Sequence, residues 1–172
     1  MDKIKFKRLL FDIACSAVVC DGHIDDREIR EMQYIDKSTT YFEDIDMSRK
    51  LKRFADNFKN RPVETINNIL EKLRETFLNP VEEMMVLEIV LRLVYADTKI
   101  DERETEFIQS VRACLSLDDE MITQRFGVID FLIHSKENIV ISKEISDEKI
   151  KSTDMKSLEN MYSDHGDKKE NR

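Results

Sequence analysis

Asp21-Gly22-His23-Ile24-Asp25-Asp26-Arg27-Glu28 returns 76 residues later, Asp97 against Asp21, as Asp97-Thr98-Lys99-Ile100-Asp101-Glu102-Arg103-Glu104. Both copies read D-x-x-I-D-x-R-E. The residues before them match as well. Leu9, Leu10, Ile13, Ala14, Ala17 and Val18 fall on Met85, Val86, Ile89, Val90, Leu93 and Val94. Apolar positions at three- and four-residue spacing mark one buried face of a helix. Each copy therefore predicts a helix, a short acidic turn and a second helix.

The second helix of each unit carries its own start signal. Asp25 with Glu28, and Asp101 with Glu104, set an N-cap carboxylate and an acid three residues on, the two halves of a capping box. Gly22 follows the first helix, where a left-handed residue often ends one. Outward from the repeats, the periodicity predicts helices over about 4–20, 25–37, 47–58, 62–77, 80–95, 101–115 and 119–134. Pro62 and Pro80 fit first turns, where the missing N–H costs nothing. In the first helix Asp12 and Ser16 point away from the apolar stripe; Tyr41 and Phe42 tuck inward from a loop; Phe77 completes the apolar face of the fourth helix. The seventh carries Ile122, Phe126, Ile129, Phe131 and Leu132, and the segment 80–95, the most apolar of all, runs through the centre.

The fold class read from this pattern is all-α: a seven-helix bundle with two pseudo-symmetric helix-turn-helix repeats. Residues 1–135 form the helical domain. Residues 136–172 form a polar, largely flexible C-terminal tail outside the core, with a turn of helix at 157–162. Three Gly and two Pro in 172 residues agree with long helices and few tight turns.

A net charge of −8 argues against a nucleic-acid or anionic-membrane partner, since both reward clustered positive charge. No run approaches the roughly 18 apolar residues of a membrane span, so no direct span is expected. Cys15, Cys20 and Cys114 are an odd set in apolar helical contexts, which predicts buried reduced thiols and a cytoplasmic setting. No Ser-His-Asp, Cys-His or phosphate-loop pattern is present, and His23, His134 and His165 are too scattered for a zinc site. The expectation is a protein that is not an enzyme.

Asp21 and Asp97 each continue the apolar stripe of the preceding helix. A carboxylate aimed at a core must be hydrogen-bonded, paired or bound to a cation. Two readings stay open here. In one, Asp21, Asp25 and Glu28, with Asp97, Asp101 and Glu104, hold a divalent cation (Ca²⁺, Mg²⁺, Mn²⁺ or Zn²⁺) or engage a protein partner. Converging carboxylates would then raise at least one pKa. In the other, the chain is a purely structural helical adaptor whose acids are caps; Arg27 and Arg103 could neutralise the carboxylates, although ideal helices point them to solvent. An EF-hand is excluded. Setting Glu28 at the last ligand position of the loop puts Ala17 and Val19 where two essential oxygen ligands belong, and the second copy puts Leu93 and Tyr95 there.

At Cys20-Asp21-Gly22-His23-Ile24-Asp25-Asp26-Arg27-Glu28 and Tyr95-Ala96-Asp97-Thr98-Lys99-Ile100-Asp101-Glu102-Arg103-Glu104 the chain resembles the TerB-like family, the helical domain of tellurite-resistance TerB proteins. The resemblance spans about Lys3 to His134. It implies a seven-helix pseudo-symmetric bundle and clustered acids proposed to chelate metal. It also implies a non-catalytic role with protein partners in cytoplasmic stress-response or defence assemblies near the membrane. Cys20 and Thr98 depart from the family's usual Ala and Gly.

Overall fold

The computed structural model describes residues 2–133 and 155–161. Eight helices are present among them, and no strand: α1 Lys3–Val19, α2 Asp26–Ser38, α3 Met47–Asn60, α4 Pro62–Glu75, α5 Pro80–Val94, α6 Glu102–Ala113, α7 Asp119–Phe126 and α8 Lys156–Asn160. Side-chain caps start most of them. Asp2, Asp25, Asp46, Asn79, Asp101 and Asp118 each accept a backbone N–H of the helix that follows, and Pro62 and Pro80 occupy first turns as expected. None of the described helices is long and apolar enough to cross a membrane.

The core is built on α1 and α5, which pack on each other more extensively than any other pair of helices. Their stripes meet through Leu10, Ile13, Ala14 and Val18 and through Val86, Ile89, Val90 and Val94, all fully buried. α1 is enclosed on more than its apolar stripe: Ser16 is buried, its hydroxyl donating to the Asp12 carbonyl at 2.8 Å, and Asp12 ion-pairs with Lys50 of α3. The side of α1 away from the stripe, where Asp12 and Ser16 point, is thus covered as well. A serine that returns its hydroxyl to the preceding turn hides its own polarity and can be packed over. Phe42 tucks in as expected, meeting Phe11 edge to face with centroids 5.3 Å apart.

Phe77 is 90% exposed, contrary to its assignment to the apolar face. α4 ends at Glu75, Thr76 turns to extended backbone, and Leu78 takes the buried place instead. α7 stops at Phe126 and does not run to 134. Gly127 adopts φ +80° and its N–H closes on the Thr123 carbonyl at 2.9 Å, a helix stop that only glycine makes without strain. After the stop, Leu132 still reaches the core, from a turn. His134 and His165 lie outside the described residues.

The reading that places residues 136–172 outside the core does not hold for 155–161. α8 packs on α2 and α3 and buries Met155, Leu158 and Met161. Three apolar residues at three-residue spacing suffice for one face of a short helix, and a polar surrounding composition conceals them.

Candidate functional site

The two D-x-x-I-D-x-R-E copies form the turns α1–α2 and α5–α6, and each acid has a definite backbone task. Asp21 Oδ1 accepts the N–H of His23 at 2.8 Å, and Asp97 Oδ1 accepts that of Lys99. These are side-chain turns that fold the loop back on itself. Asp25 caps α2, accepting the Arg27 N–H at 2.7 Å, while the Asp25 N–H donates to Glu28 Oε2 at 3.0 Å. In the second copy Asp101 Oδ1 accepts from Arg103 and Glu104 at 2.7 and 2.9 Å, and the Asp101 N–H donates to Glu104 Oε2 at 2.7 Å. Both capping boxes are complete.

The first loop turns through Gly22 at φ +84°. Thr98, its counterpart, is not left-handed. α5 ends at Val94, one residue earlier in the shared register than α1 at Val19, so the second loop is longer by a residue and closes without the positive φ.

The copies also meet in space. Arg27 clamps Asp25 through Nε and Nη2, each at 2.9 Å, and the same Nη2 reaches Asp97 Oδ2 of the other copy at 3.2 Å. The sequence reading allowed Arg27 to neutralise the acids but favoured solvent for it. The structure makes it the bridge, and its signal was its presence in the motif of both copies. The guanidinium holds the Asp25 carboxyl well below the usual carboxylate range. Neighbouring ion pairs brace the surrounding helices: Arg92 of α5 reaches Glu31 of α2 at 2.7 Å, and Arg125 of α7 reaches Glu88 at 2.8 Å.

Glu28 and Glu104 are buried beneath this bridge, each 5% exposed. Burial pushes the Glu28 carboxyl up to about 8, with Asp21, Glu104 and Asp25 adding to the rise. Burial likewise lifts Glu104 to about 7, with Asp21, Asp101 and Asp97 adding. Asp21 is raised by burial first and by Asp101 second, against the opposing His23 N–H. Repulsion across the copies is therefore present, as expected of converging acids, but desolvation exceeds it. Cys20 lies at their centre, fully buried, its thiol donating to the Ala17 carbonyl and held protonated by burial and by Asp21, Glu104, Glu28 and Asp101. The three cysteines are free, with Cys15 and Cys20 buried and Cys114 half-buried.

Chemically, this corner offers carboxylate oxygens from two turns, the donor type that hard divalent cations take. Asp21, Asp25, Glu28, Asp97, Asp101 and Glu104 are brought into mutual electrostatic reach. Among the described residues, however, no three His, Cys, Asp or Glu side chains close around one metal position. His23 is exposed; its backbone N–H donates to Asp21.

A search of curated proteins and a search of solved structures found no match. Residues 10–125 match the family model described as tellurite resistance protein TerB, a span that holds both turns, all six acids and Arg27 and stops short of α8. With two-thirds of its length so matched and both acidic turns inside the match, the chain belongs to the TerB family.

Proposed function

We propose that this TerB-family chain works by binding and not by catalysis, and that its doubled acidic corner takes a divalent cation when Arg27 withdraws. The observation that carries this is the Arg27 bridge. One positive group is drawn bidentately to Asp25 and onward to Asp97, above two buried glutamates whose charged forms are disfavoured. A divalent cation would neutralise more of that charge than one guanidinium does. Asp21, Asp25 and Glu28 from one turn and Asp97, Asp101 and Glu104 from the other would supply its ligands, and all-oxygen donors favour Ca²⁺ or Mg²⁺ over Zn²⁺. The cation would fix the distance between the α1–α2 and α5–α6 turns, so that a protein partner reads a charge-dependent surface. A cytoplasmic stress-response or defence assembly, with membrane-associated partners, is the setting that the family resemblance supports.

The same bridge supports a second reading. A guanidinium already seats here, so an arginine from a protein partner suits the corner as well as a metal does. Thermal melts of the full chain in chelator and in Ca²⁺, Mg²⁺, Mn²⁺ or Zn²⁺ separate the two. Mass action gives about 2.7 kcal/mol of stabilisation when free metal reaches a hundred times its dissociation constant. Asp21→Asn and Asp97→Asn should each remove that gain. Unchanged melting temperatures in all four metals would sink the cation reading and leave an arginine-bearing partner, or caps alone.

A further inference from the structure

α8 is a five-residue helix, too short to be ordered by its own hydrogen bonds, so the surface beneath it supplies its order. That surface is the groove between α2 and α3. Met155, Leu158 and Met161 enter it at i, i+3 and i+6 and are 2%, 0% and 5% exposed, while Lys156, Ser157 and Asn160 face out. Two polar contacts fix the register. Gln33 of α2 donates its side-chain N–H to the Met161 carbonyl at 3.1 Å, meeting an acceptor that a helix end leaves without a partner. Lys59 of α3 ion-pairs with Glu159. The groove thus takes up three apolar side chains, with a hydrogen-bond donor at one wall and a cation at the other.

α2 and α3 lie inside the matched family region, residues 10–125, whereas α8 lies outside it. The matched region supplies the seat, and a segment of this chain beyond that region fills it. Two of the three anchors are methionines, whose flexible thioethers fit a surface that accepts related ligands.

We propose that the α2–α3 groove is a docking site for a short amphipathic helix with apolar residues at i, i+3 and i+6 and an acid at i+4. α8 occupies it in cis, and a partner helix of the same chemistry enters when α8 leaves. This stands apart from the acidic corner and does not depend on any cation.

The test uses the full chain, wild type and Leu158→Asp, with a fluorescein-labelled peptide of the sequence of residues 153–162 followed by polarisation. Leu158→Asp should empty the groove and bind the peptide saturably. The wild type should bind about tenfold more weakly or worse, because its own α8 leaves the groove open only a fraction of the time. A peptide carrying Glu159→Lys should bind the Leu158→Asp chain severalfold more weakly and recover when that chain also carries Lys59→Glu. Equal binding to both chains, no binding to a Leu158→Asp chain that still melts cooperatively, or failure of the charge swap would each overturn the proposal. If Leu158→Asp does not fold, the double variant Met155→Ser, Met161→Ser takes its place. Loss of folding in both would show that α8 is an inseparable part of the core, which also overturns it.

Discussion

Asp21 does two things with one carboxylate. It closes a turn through the His23 N–H, and its charge is disfavoured, by burial first and by Asp101 next. Asparagine keeps the first role and drops the second. In chelator, Asp21→Asn should therefore be neutral or stabilising in urea melts, while Asp21→Ala should cost about 1 kcal/mol for the lost hydrogen bond. A large loss in Asn would mean the charge itself is needed without metal. Glu28 sets the pH dependence. Its folded pKa, about 8, stands above the usual 4.5, so the stability it contributes is fully present below about 4.5 and is lost as pH rises through 8; Glu104 acts likewise with a folded pKa of about 7. Metal-free protein should weaken from pH 5 to pH 8 by this term, and Glu28→Gln with Glu104→Gln should flatten the slope while preserving both capping boxes. A slope unchanged in the double variant would assign it elsewhere. Asp25 acts in the opposite sense: its depressed pKa stabilises above the usual carboxylate range and that contribution fades in acid. The acids were legible in sequence because capping is local, decided within three or four residues. Arg27 was half legible: the motif marked it, but its reach to Asp97, 70 residues on, crosses from one turn to the other.

Element boundaries show where local reading stops. Starts were readable at Asp25, Asn79 and Asp101, since an N-cap is a side chain with a task. Ends were less so. Gly127 ends α7 early, and Phe77 is stranded outside α4, because a backbone turn, not a change of apolar pattern, breaks each helix. Gly127 has no atom near the place of a Cβ, so Gly127→Ala measures backbone strain alone. With φ +80° and ψ −174° it should cost about 1–3 kcal/mol in a urea melt. A cost near zero would show that the α7 end relaxes without it.

Across the whole molecule, the repeat put the right helices at the centre. α1 and α5 are the two whose stripes match, and their packing on each other makes the core's longest seam. Leu10→Ala, at a site of zero exposure, should lose about 2–5 kcal/mol, whereas Phe77→Ser, at 90% exposure, should leave the melt nearly unchanged. Equal effects would contradict the seam. What the repeat could not reveal is how α8 returns to the surface of α2 and α3. That contact joins residues more than 100 positions apart and has no counterpart in either copy.

Cys20 turns the acidic corner into a clock. Alkylating reagents attack only the thiolate, and here the thiol is sealed from solvent and ringed by carboxylates that oppose its ionisation. It should react only when the α1–α2 turn lifts away, so its modification rate should count those openings. Cys114 is half-buried, its thiol pushed up by burial with Arg74 opposing the rise, and it should be the faster-reacting reference within the same molecule. The ratio of the two labelling rates, read by mass spectrometry, reports how tightly the two turns are held together.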